Sequence, residues 1–217
     1  MGTIREEAVV AWPLADLTPV ECTPPAAIGP PRRVAGSAPM GDDRPVVSIR
    51  PLSDDEAELV DVVARRMRLT LVEVLGAERA DAMSTHDELV GRVRWHLDRS
   101  AGRRATVLVA HEGATMTGHA LVRVDDHLGA EVGLFATTYV TPEHRRRGAA
   151  SALLEAGETW MTDQGMTTVM TYTDPGNEPL LAWYRARGYR IEVLDDDWAR
   201  ARRELATPSV DDRRGAG

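Results

Sequence analysis

The chain of 217 residues contains one cysteine, one phenylalanine and only 5% aromatic residues. A lone cysteine excludes an internal disulfide framework and any cysteine-built metal cluster. It stands in a proline-rich stretch, Cys22-Thr23-Pro24-Pro25, where it reads as an exposed spectator. The shortage of aromatics implies an aliphatic core of Ala, Val and Leu, and it limits the stacking platforms that single-stranded nucleic acids need. No segment approaches the roughly 18 consecutive apolar residues of a membrane span. The opening MGTIREEAVVAWPL has acidic residues where a signal peptide requires a basic region, so a cytoplasmic location is expected by elimination. A formal charge of −8 and a pI near 5.3 give a field that repels phosphate backbones. That argues against nucleic acid as a partner, and it either favours a cationic amine substrate or reflects acidity for solubility alone.

What is present divides into three parts. Residues 1–45 carry eight prolines and few hydrophobic anchors, and read as a flexible leader, with Met40 as an alternative start. Residues 46–206 read as one folded domain, and 207–217 as a disordered tail. Within the domain, Val46 to Arg50 reads as a strand. A helix then carries Val60, Val63, Met67 and Leu71 at helical spacing to about Val74. Thr85 with Glu88 forms a capping-box pattern ahead of Leu89, Val90, Val93 and Leu97, so a second helix reaches about Arg99. Three extended runs, Thr106–Ala110, His119–Val124 and Val132–Val140, form an antiparallel meander. After it come a helix from Gly148 to about Gln164, a strand Thr167–Thr173, a helix Glu178–Arg187 ending at Gly188, and a strand Tyr189–Leu194.

Chemistry concentrates where the third meander strand leaves for the next helix, Val140-Thr-Pro-Glu-His-Arg145-Arg146-Arg147-Gly148-Ala149-Ala150-Ser151. Such a junction aims unpaired backbone N–H groups and the positive end of the helix dipole at one point, which stabilises an anion. Gly148 lets the anion approach the backbone, and Ala149 and Ala150 keep the surface low. Three arginines at a helix N-terminus oppose the dipole by several tenths of a kcal/mol each, so a polyphosphate would relieve them. The alternative is a solvated basic turn.

The pattern Arg145-x-x-Gly148-x-Ala150 resembles the Arg/Gln-x-x-Gly-x-Gly/Ala signature of the GNAT (GCN5-related N-acetyltransferase) superfamily. A second block, Asn177-Glu-Pro-Leu-Leu-Ala-Trp-Tyr184-Arg-Ala-Arg-Gly188-Tyr189, is similar to that family's later motif. The resemblance spans about Val46 to Leu194. It implies an α+β, α/β/α layered acyl-CoA N-acyltransferase fold, with a mixed, mostly antiparallel sheet, helices on both faces, and fourth and fifth strands splayed to admit the pantetheine arm. It implies acetyl-CoA as co-substrate without a metal, backbone contacts from Tyr139 and Val140 to pantetheine, a pyrophosphate cradle from Arg145 to Ser151, and Asn177 opening the fourth helix at the cofactor. The acceptor would be a primary amine of a small molecule, peptide or protein terminus.

Transfer of an acetyl group then requires an oxyanion donor, such as the backbone N–H near Val140, and a proton for the departing thiolate. Tyr184, with a reference pKa of about 10, suits a thiolate of similar basicity. The competing reading makes Tyr184 a core aromatic beside Leu180 and Leu181. Many relatives have a carboxylate base six residues before Val140, but here that residue is Leu134. Glu131, Asp125, Asp126, His127 and His119 are the remaining candidates, read as structural or solvated groups, with water as the relay. Trp160 and Trp183 read as packing residues. Trp198, after Asp195-Asp196-Asp197, reads either as a homodimer contact or as part of a terminal helix. A CoA-binding sensor without turnover is the alternative function.

Overall fold

The structure, a computed structural model, describes residues 46–100, 102–195 and 198–206. The proline-rich leader with Cys22 and Met40, and the tail from residue 207, lie outside the described residues.

Strand β1 (Val47–Pro51) leads into helix α1 (Ala57–Leu75). The Glu56 carboxylate ties the entry down by accepting the Ser53 N–H at 2.9 Å and two bonds from Arg50 at 2.8 and 2.7 Å. The expected stripe is fully inside, with Val60, Val63, Met67 and Leu71 at 5% exposure or less. A short helix unforeseen in the sequence, α2 (Ala77–Met83), follows Gly76. Helix α3 (His86–Leu97) begins with the anticipated capping box, Thr85 Oγ1 accepting from the Glu88 N–H and Glu88 receiving the Thr85 N–H at 2.7 Å.

Strands β2 (Ala105–Glu112), β3 (Thr115–His127) and β4 (Ala130–Val140) form the meander. Helix α4 (Ala149–Asp163), strand β5 (Thr168–Thr173), helix α5 (Glu178–Arg185), strand β6 (Arg190–Val193) and strand β7 (Ala199–Glu204) complete the fold. Among the described residues the sheet runs β1-β2-β3-β4-β5-β7-β6, with only β4 and β5 parallel. β7 corrects the reading of a terminal helix at Trp198. Ala199 and Ala201 face inward while Arg200 and Arg202 face the other side, a period of two that belongs to a strand.

Helices α1 to α3 cover one face of β2–β3–β4 through Val63, Met67, Leu89, Val93, Val107, Val109 and Leu121. Helix α4 covers the opposite face through Ala149, Leu153, Leu154 and Met161. The single phenylalanine, Phe135, is the knob for this second layer: a Cβ on Gly157 of α4 would stand 2.4 Å from its ring. Gly157→Ala should therefore destabilise the protein by about 1–3 kcal/mol, seen as a lower urea midpoint with an unchanged slope. An unaltered midpoint would show that the ring can move aside.

One extra residue in β4 sets the shape of the sheet centre. Leu121 pairs with Thr137 and Val122 with Phe135, leaving Ala136 as a bulge. Parallel pairing of β4 with β5 stops at the same place, Phe135 with Thr171. A bulge bends its strand and increases the local twist. Beyond it Ala136 to Val140 have no partner on the β5 side, and the two strands part.

Candidate active site

The end of β4 is fixed by the Thr141 N–H bonding to Thr117 O at 2.9 Å and by a 3-10 turn, Pro142–His144. The chain then passes Arg145, Arg146 at a left-handed φ of 64°, and Arg147 to Gly148, whose φ of 101° caps α4. No side chain caps this helix. The first intrahelical bond runs from Ala152 N–H to Gly148 O at 3.0 Å, which leaves the amides of Ala149, Ala150 and Ser151 ahead of it. They open on a cavity of about 380 Å³ formed by Arg145 to Gly148, Ala150, Ser151, Val140 and Arg187. Unfilled amides, a glycine with open space over its Cα and four guanidinium groups fit a polyphosphate.

The arginines are not equivalent. Arg145 bonds Val140 O through Nε at 3.0 Å and the Glu73 carboxylate of α1 through Nη2 at 2.8 Å, which pins the loop to α1 at the surface. Arg147 stands 3.7 Å from Glu112. Arg187 was missed by sequence reasoning. It stacks 3.9 Å over the Trp183 ring, donates to Trp183 O at 3.1 Å and to Ser151 Oγ at 2.7 Å, and so faces the same cavity from the end of α5. No local pattern marks it, because its place depends on how α5 packs beside α4. Asn177 caps α5, its Oδ1 accepting the Leu180 N–H at 3.3 Å.

Tyr184, three residues before Arg187, is 5% exposed in the core under α4 and α5, with Trp183 and Tyr189 rings each 5.0 Å away. Burial pushes its phenol up to about 12, with the neighbouring Thr171 side chain working the other way. Thr171 Oγ1 itself donates to Phe135 O at 3.0 Å. Tyr184 thus sits at the last β4–β5 pair, where the strands separate. Tyr139 lies on the opposite face at 6% exposure, stacked 5.8 Å from His119, with Arg66 and Arg145 5.8 and 5.9 Å from its ring centre.

Four of the five candidate bases are engaged elsewhere. Glu131 pairs with Arg104, Asp125 with Arg123 at 2.8 Å, Asp126 receives the Gly129 N–H at 3.0 Å, and His127 meets Arg200 at 2.7 Å. Leu134 packs with Val132 and Met170. Trp160 and Trp183 pack against the core, as expected. Among the described residues no three His, Cys, Asp or Glu side chains group to hold a metal ion, and no helix is long and apolar enough to cross a membrane.

His119 is fully buried with neither ring nitrogen bonded among the described residues, and His96 is 2% exposed with only Nδ1 bonded, to Arg92 O at 2.8 Å. Burial, aided by Arg66 beside His119 and by Arg123 and Arg92 beside His96, pushes both down to about 3. The unfolded chain, at about 6.5, takes up these protons first as the pH falls. The resulting stabilisation is complete above pH 6.5 and is lost between 6.5 and 3, on the order of 4 kcal/mol for each histidine. The urea midpoint should drop steeply from pH 7.5 to 4.5, and His119→Phe should flatten that fall. A midpoint constant over this range would contradict neutral burial.

Comparisons with known proteins agree with this geometry. The sequence profile of the Acetyltransferase (GNAT) family matches residues 72–189. Mycothiol acetyltransferase of Clavibacter sepedonicus is 29% identical over 130 residues, 58% of this chain and 41% of that protein. The Clavibacter michiganensis protein of the same name is 37% identical over 62 residues, 29% of this chain and 20% of that one. The chain therefore spans less than half the length of these curated relatives. In fold, it is similar to the PaiA N-acetyltransferase of Thermoplasma acidophilum in complex with coenzyme A, with a TM-score of 0.57 at 18% identity over 74% of this chain and 99% of that one. An acetyltransferase from Thermus thermophilus gives 0.57 at 16% identity over 73% and 97%. With the family profile matched across both motifs and the splayed mixed sheet of that fold, the chain belongs to the GNAT acetyltransferase family.

Proposed function

We propose that the protein transfers an acetyl group from acetyl-CoA to a primary amine of a small molecule or peptide. The observation that carries this reading is the parting of β4 and β5 after Phe135–Thr171 with Tyr184 beside it, while Val140 at the end of the parted β4 edge lines the cavity at the start of α4. The amides of Gly148 to Ser151 with Arg145, Arg146, Arg147 and Arg187 hold the pyrophosphate. The free edge of β4 at Tyr139 and Val140 receives pantetheine as an added strand, and Asn177 sets the angle of α5. Acetyl-CoA supplies the activated thioester. The amine attacks its carbonyl directly, a backbone N–H near Val140 stabilises the oxyanion, and Tyr184 protonates the departing thiolate. With Leu134 where a carboxylate would stand, water relays the amine proton or the amine enters neutral.

The test is thiol release from acetyl-CoA across amines, including aminoglycosides, polyamines, amino acids, peptides and, because of the relatives named above, deacetylated mycothiol. Calorimetry with CoA runs beside it. Release with at least one amine and CoA binding are expected. Neither release nor binding would overturn the reading.

A further inference from the structure

The sheet has a second charged recess, on the face turned away from Tyr184. Side chains alternate along β5 and β7, so Val169 and Ala201 belong to the core under α4 and α5 while Met170, Tyr172, Arg200 and Arg202 face the other way. The helices α1 to α3 that cover this face elsewhere contribute nothing to the cluster Val132, Leu134, Met170 and Tyr172. Beside it the register lines up Leu134, Met170, Arg202 and Arg190 in one row, and Tyr172, Arg200 and Glu192 in the next. Arg190, Glu192, Arg200 and Arg202 enclose a cavity of about 280 Å³, separate from the one at α4. Its wall has three guanidiniums to one carboxylate, although the chain as a whole carries −8.

These arginines have bonding capacity left. Arg200 donates to Glu192 at 2.5 Å and meets His127 at 2.7 Å, and Arg202 donates to Glu204 at 2.9 Å, yet the Nε of each is buried without an acceptor among the described residues. Arg190 has no ion-pair partner among the described residues. The Arg202 side chain is nevertheless 43% exposed and Arg190 lies open at the recess, and a carboxylate or phosphate is the ligand whose paired oxygens match the guanidinium fork.

We infer that this recess holds an acidic group of the acceptor, so that the substrate is an amine bearing a carboxylate or phosphate. The inference rests on acetyl transfer at the β4–β5 opening. Tyr172 borders that opening and pairs with Arg200 on the next strand. With strands about 4.8 Å apart, the amine and the acid would be separated by about 7–10 Å. Tyr184 serves the thiolate from one face, and the acceptor crosses the other. This reverses the cationic acceptor suggested by net charge, because the local excess of arginine on this face outweighs the distant carboxylates screened by solvent.

The experiment compares 6-aminohexanoate with 6-aminohexanamide as acceptors under saturating acetyl-CoA. The acid should have a kcat/KM at least tenfold higher, and Arg190→Gln/Arg202→Gln should bring the acid-to-amide ratio towards one, with CoA binding by calorimetry showing that the variant is folded. Equal use of both amines, or preference for the amide, overturns the inference and leaves acetyl transfer standing. If no amine releases thiol, binding of 6-acetamidohexanoate and 6-acetamidohexanamide to the CoA-loaded protein decides. Tenfold tighter binding of the acid supports the recess, and equal binding overturns it.

Discussion

Replacing Tyr184 with Phe should lower acetyl transfer by roughly 10²-fold or more in kcat while leaving CoA affinity within a factor of about two, the usual scale for losing a positioned proton donor. The hydroxyl is the only atom removed, and the ring keeps its place between Trp183 and Tyr189. Because burial pushes the phenol up to about 12, the acid stays protonated from pH 7 to 9. The ratio of wild-type to variant rates should then be constant across that range. Any rise of rate with pH would come from deprotonation of the acceptor amine. Stopped assays of thiol release at three pH values, with calorimetry for CoA, check all of this. Equal rates for the two proteins would return Tyr184 to a packing role, and CoA binding without turnover in either would identify a sensor.

An equally large effect is expected at the other end of the site, with stability moving the opposite way from binding. Ala150→Glu puts a carboxylate in the first turn of α4 among the bare amides. There it favours the helix dipole by about 0.3–1 kcal/mol, so the thermal midpoint should hold or rise. The same charge would face a diphosphate held in the proposed cradle. At about 5 Å and an effective dielectric near 20, each like-charge pair costs about 3 kcal/mol, so CoA should bind at least roughly 100-fold more weakly. A more stable protein that has lost its cofactor would show that the amides are left open for a ligand. Undiminished CoA affinity would place the diphosphate elsewhere.

What was legible carries a local signal. The Thr85–Glu88 capping box, Gly148 at the start of α4 and the Asn177 cap of α5 each act on neighbours within a helical turn, so local pattern locates them, whereas the pairing of Asn177 with Tyr184 came from the resemblance to the GNAT motif. What escaped depends on contacts distant in sequence. The Ala136 bulge is visible only against the register of β3, and Glu73 reaches Arg145 from 72 residues away. Arg187 looks like any solvated helix end until α5 lies beside Ser151. Strand β7 was missed for a different reason. Ala, Arg and Glu are strong helix formers, so the segment Ala199-Arg-Ala-Arg-Arg-Glu resembles a helix by composition. Tertiary pairing with β5 and β6 overrides that preference, and only its alternation of small and long side chains betrays the strand. Helix α2 spans only seven residues, two turns, which is too short to show a period.

The bulge at Ala136 also bears on handling the protein. Most sheets confine unpaired strand edges to their two outer margins, whereas this one adds a pair at its middle, along β4 between the Ala136 and Val140 carbonyls that Thr137 and Arg145 occupy, and along the end of β5. Unpaired margins recruit foreign strands. A preparation stripped of its thioester would be open to seeding by neighbouring chains in storage, and occupancy by the nucleotide would act as a preservative as well as a reactant.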